Sequence, residues 1–280
     1  MAFLDEILER KRTEIAAAKK ERDLATLKGT VTDAPPLRSF SGALGNGFGL
    51  IAEIKRRSPS GGNMRAENIE GAPAAYANSS AVKCVSVLTN STDFGMSIEE
   101  LSKMKAQIPK PILRKDFILE EYQVYEARAF GADALLLMAN VLGRDEMRRL
   151  FDLSRELGME VLFEAHTKEE IGSIPEGAKL YGINSRKFVA SAERFANSVK
   201  GPDLSVELET FSLINHLPKH AIKIAESGVK PAKLPEVIQM GYDAVLVGTS
   251  LLKAESGIEG MLKDFEEAIA ANKSVASPTR

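Results

Sequence analysis

The chain has 280 residues, 44% of them hydrophobic and 27% charged, a globular composition with room for one large domain or two small ones. Acidic residues number 39 and basic residues 37, so no net field calls for nucleic acid or a membrane surface as partner. No apolar run reaches the roughly 18 residues that span a bilayer, and Asp5 and Glu6 interrupt any secretory h-region. The lone Cys84, in "KCVSVLT", can form no intrachain disulfide and reads as a small buried hydrophobe. A cytoplasmic protein is expected. Three histidines (His166, His216, His220) and one cysteine give no ligand spacing for zinc, so no metal is expected either.

Along the chain, Phe3, Leu4, Ile7, Leu8, Ile15 and Ala16 recur at helical spacing and predict an amphipathic leading helix over 3–20. The Pro- and Gly-containing connection "DAPPLRSFSGALGNGFG" follows. Then short apolar runs alternate with amphipathic stretches. The runs are "LIAEI" (50–54), "CVSVL" (84–88), "PILRK" (111–115), "ALLLM" (134–138), "EVLFE" (160–164), "LYGIN" (180–184), "IKIAE" (222–226) and "AVLVG" (244–248). Helical patterns such as "LEEYQVYEARAFGA", "GRDEMRRLFDLSRELG" and "KPAKLPEVIQMGY" lie between them. Runs this short and this continuously apolar suit parallel strands covered on both faces. Eight strand–helix units predict a single (β/α)8 TIM barrel of the α/β class. The expected division is 1–48 for the helix and its connection, 49–270 for the barrel, and 271–280 for a flexible tail. The rival, an open doubly wound sheet, would want a G-x-G-x-x-G turn after the first strand, and none is present. "GADALLLM" at 131 and "GYDAVLVG" at 241 echo each other half a barrel apart.

The stretch "LIAEIKRRSPSGG" poses a chemical question. Strand side chains alternate, so Glu53 and Lys55 aim the same way at the end of a hydrophobic strand. In such barrels, catalytic groups sit at the C-terminal strand ends. Those ends carry Glu53 and Lys55, then Lys115, Glu164, Asn184 with Arg186, Glu226 with Ser227 and Gly228, and Gly248 with Thr249. One polar strand end is usually the start of a solvated loop. Six converging ends, with carboxylates matched to cations, predict a paired site of catalytic use. Ser227–Gly228 and Gly248–Thr249 each join a glycine to a hydroxyl residue before helical sequence, a pattern that binds phosphate.

The motifs "IAEIKRRSPS", "SVLTNSTDFGMS", "PILRKDFI", "GADALLLM", "LFEAH", "GINSR", "IAESGV" and "LVGTSLL" resemble, in order, those of the indole-3-glycerol phosphate synthases. The resemblance runs from about residue 50 to 252, and the leading helix fits the family's extra N-terminal segment. It implies conversion of 1-(2-carboxyphenylamino)-1-deoxyribulose 5-phosphate to indole-3-glycerol phosphate, carbon dioxide and water. No cofactor is implied, and the partner is a phosphorylated small molecule met by a monomer. The resemblance makes Lys115 the general acid at the ketone oxygen and Glu164 an aid to dehydration. Lys55 bridges toward the phosphate and takes part in catalysis, and Glu53 orients it and shuttles protons. By the same resemblance Asn184 and Glu226 match polar groups around the sugar hydroxyls, and Ser58 and Arg186 match positions near the substrate carboxylate. Ser227, Gly228, Gly248 and Thr249 match the family's phosphate cradle, and Phe94, Phe117 and Pro59 would wall the anthranilate ring. After strand six the family commonly reads Asn-Asn-Arg-Asp-Leu, whereas this chain has Ser185, Lys187 and Phe188 at the differing positions. Two rival readings are another sugar-phosphate barrel, such as an isomerase, and a non-catalytic barrel that binds a phosphate ligand.

Overall fold

A computed structural model describes residues 3–59, 61–186 and 208–275. Eight parallel strands close into a barrel in chain order. We label them β1 (Gly49–Ile54), β2 (Val82–Leu88), β3 (Ile112–Lys115), β4 (Ala134–Met138), β5 (Glu160–Ala165), β6 (Leu180–Asn184), β7 (Ile222–Glu226) and β8 (Ala244–Val247). The expected TIM barrel is therefore the observed fold. The segment 187–207, which holds Lys187 and Phe188, lies outside the described residues.

Strand alternation divides the apolar residues into two cores. Leu50, Ala52, Val85, Val87, Leu135 and Leu137 face outward and pack under the helices. Ile51, Leu113, Leu136, Leu162, Ile224 and Leu246 face inward and fill the barrel. A period of two then sends the second residue after each inward Ile51, Leu113, Leu162 and Ile224 into the mouth. Those residues are Glu53, Lys115, Glu164 and Glu226.

The N-terminal segment packs against both ends of the barrel. Phe40 and Leu44, on the short helix Phe40–Leu44, join the inner cluster beside Leu180 and Ala244 at the strand starts. Glu160 accepts from the backbone N–H of Phe40 at 2.6 Å and of Ser41 at 3.1 Å, a carboxylate at a helix N-terminus. The leading helix, Phe3–Glu21, lies at the other end, where Ile7 joins the cluster that contains Phe117. Lys11 is 3% exposed and pairs with Asp116 at 2.7 Å. Asp116 also binds Arg114 at 3.1 Å and the Thr89 hydroxyl at 2.7 Å, and Arg114 reaches Glu126 at 2.7 Å. Arg10 pairs with Asp93 at 2.6 Å, and Glu14 accepts from Ser91 and Thr92. The helix thereby grips the loops after β2 and β3. The closing helix Gly257–Val275 runs past residue 270.

The Gly-x-Asp-Ala echo is a building device. Gly131 and Gly241 end their helices with φ near +91° and +92°, which suits glycine. Two residues on, Asp133 accepts from Ile112 N–H at 2.7 Å and Asp243 from Lys223 N–H at 2.8 Å. Each aspartate thus satisfies a backbone donor at the start of a neighbouring strand.

Candidate active site

The C-terminal strand ends open into a cavity of about 250 Å³. Glu53, Lys55, Lys115, Glu164, Asn184, Arg186 and Glu226 line it, together with Phe94, Phe117, Ser227, Gly228, Gly248 and Thr249. Ser58 and Pro59 do not. Ser58 is buried, and its hydroxyl accepts from Gly61 N–H at 3.0 Å, tying its own turn. Pro59 is exposed on that turn.

Lys115 is the hub. Its ammonium lies 2.9 Å from Glu164 Oε2 and 3.0 Å from Glu226 Oε2. Burial opposes its charge, but Glu164, Glu226 and Glu53 outweigh burial and raise its pKa, so it stays protonated at neutral pH. The two carboxylates part ways. Burial, with Glu164 beside it, pushes Glu226 up to about 7, against the pull of Lys115. Burial also acts on Glu164, but Lys115 and then His166 overcome it and hold Glu164 below the usual carboxylate range. One site thus combines a fixed cation, a fixed anion and a carboxyl poised to exchange its proton.

Glu53 and Lys55 are 4% and 6% exposed and paired through Glu53 Oε1. The strand thus ends in a buried ion pair, aimed into the mouth. Two glycines make room for these acids. A Cβ at Gly248 would run into the Glu53 carboxylate, and one at Gly182 into that of Glu226. Gly248 is expected from the sequence to belong to a phosphate cradle; in the structure its bareness makes room for Glu53. At the end of β7, Ser227 and Gly228 have φ of 68° and 69°, and such a turn exposes successive N–H groups. For Ser227, which carries a Cβ, this left-handed backbone costs on the order of 1–2 kcal/mol. The Ser185 hydroxyl holds the turn by sharing its one proton between the carbonyls of Glu226 at 3.2 Å and Ser227 at 3.1 Å. The departure at Ser185 therefore builds the strand-seven end.

Several residues escaped the sequence reading. Lys230 and Asp116 line the cavity, the former from the loop after β7. Asp116 follows Lys115 directly, and "RKD" gave no local sign that its flanking charges would be buried. Arg186 is half-buried, with burial holding it below its ordinary value and Glu53 offsetting part of that. Among the described residues, no group of three His, Cys, Asp or Glu is arranged to hold a metal ion.

A family model described as indole-3-glycerol phosphate synthase matches residues 4–261. The chain belongs to the indole-3-glycerol phosphate synthase family. The match takes in both the leading helix and the barrel. Relatives of that name include one from Streptomyces griseus, 37% identical over 256 residues covering 90% of each chain. A Rhodococcus jostii relative is 39% identical over 256 residues, again 90% of each chain. One from Kineococcus radiotolerans is 36% identical over 264 residues, 91% of this chain and 92% of its own. Among solved structures, 3-hexulose-6-phosphate synthase from Salmonella typhimurium superposes with a TM-score of 0.56 at 12% identity, covering 80% of this chain and 99% of the other. A native KDPGal structure gives a TM-score of 0.53 at 18% identity, covering 80% of this chain and 96% of the other. These two likenesses concern the barrel fold alone. The family's synthases supply the frame in which the mouth residues acquire roles.

Proposed function

We propose that this chain is a carboxy-lyase that closes, decarboxylates and dehydrates 1-(2-carboxyphenylamino)-1-deoxyribulose 5-phosphate to indole-3-glycerol phosphate, a step of tryptophan biosynthesis. The observation that carries the reading is Lys115, held protonated between Glu164 and Glu226 on the floor of the mouth. The phosphate binds at the Ser227–Gly228 turn and at Gly248–Thr249, with the Lys55 ammonium on that side of the mouth. The anthranilate ring lies between Phe94 and Phe117, and Arg186 takes its carboxylate.

Lys115 gives a proton to the ketone oxygen as the carboxylate-bearing aromatic carbon attacks. The new carbon–carbon bond leaves a cationic iminium, and loss of carbon dioxide returns an electron pair and restores the aromatic ring. The hydroxyl made from the ketone then departs as water, which takes a second proton. Glu226, poised near neutrality, is placed to reload Lys115 for that transfer. Glu164 stays ionised and receives the proton lost from carbon as the indole forms. Asn184 and Glu226 hold the sugar hydroxyls. Acid–base groups of this kind contribute about 10²–10⁴-fold each. The reading is of a monomer acting in the cytoplasm.

Incubation of purified protein with the carboxyphenylamino substrate, followed by indole fluorescence and carbon dioxide release, tests the reading. Both signals are expected in equal amount. Turnover of a pentose or hexose phosphate with neither signal would favour the isomerase reading, and binding without turnover the non-catalytic one.

A further inference from the structure

His166 is buried at the end of β5, two residues after Glu164, and the steps above make no use of it. Its backbone N–H donates to Glu170 Oε2 at 2.6 Å, and its ring Nδ1 lies 3.2 Å from the same oxygen. Thr167 caps the helix Lys168–Ser173 by accepting from Glu170 N–H, which fixes Glu170 in the first turn. A carboxylate oxygen only accepts, so Nδ1 carries a proton. The opposite nitrogen, Nε2, faces Glu164 Oε1 at 3.5 Å. Neither atom has a hydrogen-bond partner among the described residues. With no further proton, an imidazole lone pair would confront carboxylate lone pairs away from water. A proton on Nε2 removes that conflict.

The surrounding charges agree. Glu164 on the same strand, Glu170 on the following helix and Glu226 on β7 face the ring, with Lys115 beyond Glu164. The two acids of the dyad also differ in geometry. Glu164 has Lys115 at Oε2 and His166 at Oε1. Glu226 has Lys115 at Oε2, and its Oε1 has no hydrogen-bond partner among the described residues.

We infer that His166 is a positioning residue for this reaction: an imidazolium, clamped by Glu170, that holds Glu164 ionised and leaves the exchangeable proton of the mouth on Glu226. The inference rests on the role given to Glu164 above. Burial opposes the imidazolium, but the Glu170 hydrogen bond and the neighbouring carboxylates raise its pKa above the ordinary value. His166 thus acts through Glu164 rather than on substrate.

The chain has three histidines, so imidazole nitrogen resonances can be assigned by single replacements. In the ligand-free protein, His166 is expected to be doubly protonated at neutral pH, with a midpoint above the ordinary value of about 6.5. Glu170→Gln should lower that midpoint. In steady-state assays, His166→Gln should move the acid limb of kcat/KM upward by about one pH unit or more. An opposite charge at such range lowers a carboxylate pKa by about 1–3 units. Unchanged cooperative thermal unfolding would show that the variant folds; if it does not, the resonance titration and Glu170→Gln decide. A neutral His166 at pH 7 would overturn the inference. So would a His166→Gln profile that is lowered uniformly with its acid limb in place, since that marks packing alone. Absence of wild-type turnover would instead sink the proposed reaction, and the resonance titration would still report on His166.

Discussion

Gly182→Ala isolates the placement of Glu226 without changing any charge. Gly182 lies on β6 and does not itself line the cavity. A Cβ there would overlap the Glu226 carboxylate, standing 3.0 Å from its Cδ and 3.4 Å from Leu162 Cδ1. Glu226 is 1% exposed and anchored to Lys115 at 3.0 Å, so it can make room only by leaving that contact. A hydrogen bond to a charged group is worth about 1.5–3 kcal/mol. At about 1.36 kcal/mol per decade, kcat should fall about 10- to 150-fold. Overpacking should also cost about 1–3 kcal/mol of stability. Indole fluorescence gives the rate, and urea unfolding gives the stability. Glu226→Asp shortens the acid by one methylene, so in the Gly182→Ala background it should return stability that Glu226→Asp alone would lose. Wild-type kcat and stability in Gly182→Ala would refute the reasoning, and strictly additive stabilities would refute the clash.

Other consequences can be checked in parallel. Lys115→Ala should lower kcat far more than it raises KM, because a general acid acts in the transition state; near wild-type kcat would remove Lys115 from the mechanism. Glu53→Gln and Lys55→Met should each cut turnover severely, and the double variant should be little worse than the poorer single. Breaking a buried pair leaves its partner charge uncompensated, so small additive losses would mean a mere strand-end decoration. Glu226 has a pKa raised from 4.5 to about 7, so the folded state binds the extra proton between those values and stability from this group falls as pH rises through that window. Glu164 has a lowered pKa, so its contribution is present above its unfolded value and is lost as pH falls toward about 2. Denaturant titrations of Glu226→Gln should therefore lose the decline between pH 4.5 and 7; an unchanged slope would assign the proton elsewhere.

What the sequence alone determined is whatever follows from local period and position. A period of two behind Ile51, Leu113, Leu162 and Ile224 told which charged residues would enter the mouth, and the pattern of apolar runs told the barrel. Glycine beside a hydroxyl residue marked the turn at Ser227–Gly228. Tertiary structure decided what depends on neighbours across strands. Nothing in "LYGIN" says that Gly182 must be bare for a carboxylate 44 residues onward, because that need arises from strand pairing between β6 and β7. Nothing in "PILRKDF" says that Arg114 and Asp116 are buried with Lys11 from the leading helix, since a charge run reads as solvated until another element covers it. The split between Glu164 and Glu226 has the same origin. Both end apolar strands alike, but Glu164 alone has Asn184 and the His166 ring, held by Glu170, beside it among the described residues. Proton affinity is set by the charges within a few ångströms, and those charges come together only when the barrel closes.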